Sequence, residues 1–212
     1  MNNLKLNLII CFFRLRPSIK RIDRDNYKEI IKVVKREYHE ISERTAREKG
    51  VMAFHRMFLV VGLALYKALQ DTFPSQEERI EEIHDILWNG FMKKNIRFTP
   101  FFIRRSKDPF GRYLQILGPS NEWFFPCPPW EKEPVEIENG VGWYQRRCPM
   151  MDFFEKEEIG ELTRACGDMD ERTAELLPEH IELRREKPMC QGDDWCDFLY
   201  YREEANCRDC LV

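Results

Sequence analysis

Histidine is scarce in this chain, and what there is does not build a site. The four residues stand at positions 39, 55, 84 and 180, with no His-Glu-x-x-His pair to hold zinc on one helix face. His55 reads as a packed or surface residue, and the other three read as surface. There is no Gly-x-Ser-x-Gly turn to expose a serine nucleophile, and no glycine-rich loop to cradle phosphates. Net charge is low too, with 34 Lys and Arg against 37 Asp and Glu. A nucleic-acid binder would carry a strongly basic face, so nucleic acid is not an expected partner. Long apolar runs are missing: Met57 to Tyr66 is about half of a ~20-residue membrane span, and no stable membrane insertion is expected. Internal repeats and low-complexity tracts are absent.

The N-terminal run Leu6 to Phe13 is short for a signal-peptide core and lacks a small-residue cleavage site. It reads as a packing element or an extension. With it, the eight cysteines read as reduced thiols of a cytoplasmic protein. A chain of this size, rich in helix signals, does not need a disulfide framework. Charge is unevenly spread: Lys5 to Lys49 is net basic and Asp152 to Asp209 is acidic. The two stretches are expected to attract each other within the fold.

Periodicity organises the first half. Tyr27, Ile30, Ile31, Val34, Tyr38 and Ile41 recur at helical spacing, predicting a helix over 25–48 that Gly50 closes. A second helix over 51–70 is apolar on nearly all sides and belongs in a core. Ser75 and Glu78 form a capping box, opening a third helix with Ile80, Ile83, Leu87 and Phe91 on one face. From Phe98 to Pro134 aromatics and prolines break the pattern, which predicts a long ring-packed loop with short strands. Asp108-Pro109-Phe110-Gly111 is a turn signal.

Asn139-Gly140 between Val135–Glu138 and Val141–Tyr144 is a strong hairpin signal. Helical segments follow over 153–166 and 171–177, then a strand at Ile181–Arg184, a turn at 191–194, and a strand at Trp195–Tyr201. The expected class is α+β: an N-terminal helical layer packed on a small antiparallel sheet in a single domain. Residues 1–24 form an extension, 25–205 the domain and 206–212 a tail.

Three cysteines draw attention: Cys148 in Arg147-Cys148-Pro149, Cys166 in Cys166-Gly167-Asp168, and Cys196 in Trp195-Cys196-Asp197-Phe198. A thiol acts as nucleophile or ligand only as thiolate, so charged neighbours decide its use. The spaced pattern Cys148-Pro149, Phe153-Phe154, Glu161-Leu162, Cys166, Asp170, Ala174-Glu175, Arg185, Gly192 and Cys196-Asp197-Phe198, over residues 141–201, resembles the L-2-amino-thiazoline-4-carboxylic acid hydrolase family. The resemblance implies hydrolysis at a carbon held between nitrogen and sulfur, in a small cyclic amidine. The turn Glu186-Lys187-Pro188-Met189-Cys190 departs from the small or neutral residues usual there.

Such a reaction needs a nucleophile, an acid or base, and an orienting group. Cys148, Cys166 and Cys196 are the candidate nucleophiles, with Cys148 favoured because Arg146 can support its thiolate. Asp170 and Glu175 are the candidate acid or base. Arg185 is the candidate clamp on a substrate carboxylate, and Arg146 and Asp197 complete the substrate-binding set. The expected partner is a small-molecule substrate. No cofactor and no metal is assigned, and a homo-oligomer is left open. The competing reading is a non-catalytic module that binds a small ligand among the 98–130 aromatics, or zinc or an iron–sulfur cluster through thiolates. In that version Cys207 and Cys210 dock with Cys190 and Cys196.

Overall fold

The computed structural model describes residues 3–45, 48–96 and 99–202. The expected ligation by Cys207 and Cys210 lies outside them. In chain order the helices are α1 Asn3–Ile22, α2 Tyr27–Arg44, α3 Gly50–Ala68 and α4 Gln76–Leu87. A π-helical turn, Trp88–Met92, leads into α5 Lys93–Ile96, and α6 Thr99–Arg104 and α7 Pro109–Phe124 follow. Strands β1 Glu131–Val135 and β2 Gly140–Arg147 come next, then α8 Pro149–Lys156, α9 Arg164–Gly167 and α10 Met169–Ala174. Strands β3 Ile181–Arg184 and β4 Cys196–Arg202 complete the fold. The class is α+β, with the long helices N-terminal and one four-stranded antiparallel sheet. The chain forms two compact units, one from residues 1–95 and 150–169, the other from 96–149 and 170–212.

In the first unit the predicted stripes do what their spacing requires. Ile30, Val34, Tyr38 and Ile41 of α2 are buried, as are Ile80, Ile83, Ile86 and Leu87 of α4. Helix α3 is long and apolar enough to cross a membrane, yet its residues Met57 to Leu65 are buried inside this unit. Phe154, fully buried, brings its ring to Gly62 of that helix. One expected attraction between basic and acidic stretches is present: Arg44 forms an ion pair with Glu157. Ser75 caps α4 by accepting from the Glu78 amide.

Three expectations for this unit are corrected. Gly50 does not close α2. That helix ends at Arg44, where Thr45 donates its amide and hydroxyl to the Ile41 carbonyl, and Gly50, at φ +60°, opens α3. His84 is buried, not surface, because it shares the inward side of α4 with Ile80, Ile83 and Leu87. The helix expected over 153–166 is broken. It starts at Pro149, a residue suited to a first helical turn, ends at Lys156, and resumes at Arg164 after a 3-10 turn over Gly160–Thr163.

The second unit holds the sheet, in order β1-β2-β4-β3 with every pair antiparallel. Of the long loop with short strands expected over 98–134, the loop is corrected: α6 and α7 take up most of 99–124, and a short strand, β1, does begin at Glu131. Asp108-Pro109 is an N-cap followed by proline at the first helical position, a helix start rather than a free turn. Asp108 accepts from the Gly111 amide at 3.0 Å. The first hairpin strand lies earlier than expected, at Glu131–Val135, and Asn139 makes the bend at φ 57°.

Residues Val141, Trp143 and Gln145 pair with Tyr200, Phe198 and Cys196, placing them on one face. Phe110 and Tyr113 of α7 and Ile103 of α6 pack with Cys196, Phe198 and Tyr200 of that face. The β2–β4 approach is close: a Cβ on Gly142 would lie 2.8 Å from the Phe198 carbonyl oxygen, so only glycine fits.

The Asp108 cap makes one prediction. The Gly111 amide, and then Arg202, hold its carboxyl below the usual carboxylate range. A group depressed on folding stabilises the fold above its unfolded value, and that contribution fades as pH falls through the folded value. Asp108→Ala should therefore lower the thermal midpoint at pH 7. The gap to wild type should narrow below roughly pH 4. A gap independent of pH would remove the cap from the account.

Candidate functional site

The sheet and the loop after β3 build one charged cluster in the second unit. Strand β3 delivers Arg185 to the start of a loop that returns to β4. Its side chain is 3% exposed, and its Nη1 lies 3.3 Å from Asp170 Oδ2 of α10. Its Nη2 donates to Cys196 Sγ at 3.5 Å, and its Cζ sits 5.0 Å from the centre of the Phe198 ring. The Met189 amide also donates to Cys196 Sγ, at 3.2 Å. Two donors thus converge on one sulfur, and one of them is a cation.

Electrostatics follow from burial and these neighbours. Burial alone would ease the proton off Arg185. Asp170, then Cys196 and Cys190, outweigh it, and the net shift is upward. The guanidinium stays charged. Asp170 is 40% exposed, which makes it the solvent-facing end of the cluster. In the same unit Tyr113 and Tyr200 meet with their rings tilted by 55°, 5.3 Å between centres. Burial drives both hydroxyls well above the usual phenol range, with Asp170 adding to the effect. Both therefore remain neutral.

The loop is held by Asp197. Its carboxylate, on a buried residue, accepts from the Lys187 amide at 2.7 Å and the Glu186 amide at 3.1 Å. Its own amide returns a bond to the Lys187 carbonyl at 3.2 Å. Alternation along β4 sends Cys196 and Asp197 to different sides, so one serves the cluster and the next anchors the loop. Gly192 closes the Met189–Gln191 turn at φ 104°, a conformation that glycine adopts without strain.

The predicted residues divide as follows. Cys196, Arg185 and Asp170 come together, and Asp197 fastens the loop beside them. Cys148 is buried just past the end of β2, three positions beyond Gln145, the residue paired with Cys196. Arg146 bonds Glu133 at 2.8 Å and covers the Trp195 ring at 4.7 Å. Glu175 is exposed, one residue past α10. Cys166 is buried in α9, in the first unit.

Tyr200, Tyr113 and the Met189 amide were not foreseen. The Cys196-x-Phe198-x-Tyr200 alternation carries the signal for Tyr200, since a period of two fixes the face. Cys127, Cys148, Cys166, Cys190 and Cys196 are thiols, not disulfides. Among the described residues no group of three or more His, Cys, Asp or Glu side chains is placed to hold a metal.

In this α+β chain one buried guanidinium thus joins a cysteine to an aspartate. The family model for L-2-amino-thiazoline-4-carboxylic acid hydrolase matches residues 50–200, and the chain belongs to that family. No curated protein and no solved structure matches it.

Proposed function

We propose that this protein opens a small cyclic amidine, of the 2-amino-thiazoline-carboxylate kind, at a ring C–N bond, with Cys196 as the nucleophile. The convergence of Arg185 and the Met189 amide on its sulfur carries this reading. A cation and an oriented N–H fix the sulfur in place and can balance the charge that changes on it during attack. Family membership supports the choice of substrate class.

The sulfur adds to the amidine carbon, and the ring C–N bond breaks. One water balances the reaction. Its proton goes to the departing ring nitrogen and its hydroxyl to the amidine carbon, and the Cys196 thiolate is expelled. Asp170, at the exposed end of the cluster, relays that proton. Arg185 holds the sulfur's charge through both steps, and the neutral Tyr200 hydroxyl lends polarity without adding charge.

The test is direct. Purified protein incubated with 2-amino-thiazoline-4-carboxylate should consume the ring, with stoichiometric appearance of the carbamoylated open chain by mass spectrometry. Quenching during turnover should reveal a covalent adduct on the peptide carrying Cys196. Ring opening with no adduct on that peptide would replace the covalent route by direct attack of water. No ring opening across a panel of cyclic amidines would sink the reading.

A further inference from the structure

The first unit carries a second feature that the hydrolase reading does not use. Helices α1 and α2 enclose a surface cavity of about 470 Å³ lined by Phe12, Phe13, Arg16, Tyr27, Ile31 and two lysines, Lys28 and Lys35. Its walls are aromatic and cationic, with no carboxylate among them. The cations lie against the rings: Arg16 Cζ is 5.3 Å and Lys20 Nζ 5.6 Å from the centre of Tyr27, and Lys35 Nζ is 5.5 Å from that of Phe12. Arg16 also donates to the Tyr27 hydroxyl at 2.9 Å.

Elsewhere on the same helices basic residues find acids. Arg21 pairs with Glu82 and Asp85, Lys32 with Glu29, and Arg36 with Glu37. Among the described residues Arg16, Lys20, Lys28 and Lys35 have no such ion pair. At the rim Phe13 is 75% exposed, an uncommon position for a large apolar ring.

We propose that this α1–α2 face is a peripheral docking surface for an anionic lipid membrane. Four cations without acidic partners match a surface of negative headgroups, and an exposed phenylalanine among them suits the headgroup–acyl boundary. A second copy of the chain is the wrong occupant, since a two-fold contact would set these cations against their own images. A free anion would satisfy the charge but leave the Phe13 ring in water. The face lies on α1 and α2, apart in sequence from the hydrolase residues, so membrane attachment and ring opening can fail separately.

Sedimentation of the full-length protein with vesicles tests this. Binding to phosphatidylcholine containing a quarter phosphatidylserine should exceed binding to pure phosphatidylcholine at least tenfold, and should weaken steeply with added salt. The double change Lys28→Glu, Lys35→Glu should reduce it at least tenfold. Phe13→Ser should reduce it severalfold, and Phe13→Leu should restore it. All these positions are exposed, and an unchanged thermal midpoint would establish folding. Arg16→Glu serves as an independent charge reversal.

Equal binding to neutral and anionic vesicles would overturn the proposal, as would indifference to the lysine reversals. Displacement by millimolar inorganic phosphate at constant ionic strength would make this a soluble-anion site. Equal affinity for duplex DNA would make it general polyanion attraction, and loss of the Phe13 effect would do the same. Salt-dependent self-association abolished by the same reversals would mark it as an interface between copies.

Discussion

Cys196→Ser is expected to reduce turnover of the ring substrate by about a thousandfold or more, because a hydroxyl in the same place is a far weaker nucleophile than a thiolate. The fold should survive. Serine is slightly smaller than cysteine and can accept the same bonds from Arg185 and the Met189 amide. A thermal scan should therefore move little while kcat collapses, and that separation distinguishes chemistry from packing. Cys148→Ser and Cys166→Ser serve as controls. One alters a buried residue past the end of β2, and the other lies in α9 of the other compact unit. Each should keep activity within severalfold. If Cys148→Ser is dead and Cys196→Ser is active, the nucleophile has been assigned to the wrong sulfur. A similar loss in all three variants, accompanied by lowered thermal midpoints, would mean that the thiols matter for packing alone.

The parts of this site that sequence makes readable are those governed by a repeat. Cys196, Phe198 and Tyr200 fall on one face because strands alternate, and Ile181 and Leu183 do so for the same reason. The stripes of α2 and α4 are equally visible, as is the Ser75 cap. What was hidden depends on geometry between segments. Nothing local to Arg185 or Asp170 says that a guanidinium will span from an α10 carboxylate to a β4 sulfur, since that contact joins three elements through a loop with no period. The Met189 amide is invisible for a simpler reason: backbone donors leave no mark on residue type.

The helix α7 was missed because Asp108-Pro109 serves two structures. Asp followed by Pro starts a turn, and it equally caps a helix. What decides is the apolar spacing that follows, Phe110, Tyr113, Leu114 and Leu117, which places a face toward the sheet. The aromatic density of 98–130 masked that spacing. Part of that density proves to be core: Phe110 and Tyr113 are buried with the sheet residues and Trp130 is buried too, while Phe101, Phe102 and Trp123 are exposed.

Removing the Asp197 carboxylate should have the second large effect, and through position rather than chemistry. Its two loop bonds, to the amides of Glu186 and Lys187, are charge-assisted. Bonds of that kind contribute roughly 1.5–3 kcal/mol each when both partners are sequestered. Here Glu186 and Lys187 are exposed, so water can take over part of the pairing, and Asp197→Ala should cost about 2–3 kcal/mol in all. That loss is local. The loop from Arg185 to Trp195 should open without unfolding the sheet, so hydrogen exchange at the two amides should quicken by roughly a hundredfold while the β2–β4 amides hold.

The consequence for the sulfur follows from covalent connection. Lys187 precedes Met189 by two residues, so a released loop carries the Met189 amide away from Cys196 Sγ. Arg185 keeps its buried place beside Asp170 and retains the other donor. kcat should fall by ten- to a hundredfold with little change in KM, because the ring still meets the same cluster but a less ordered nucleophile. Asp197→Asn keeps one carbonyl oxygen toward the loop and should recover a good part of both the protection and the rate. An Asp197→Ala protein with protected amides and wild-type kcat would show that the loop is held by other contacts. A variant in which KM rises and kcat does not would instead place Asp197 in direct touch with the substrate.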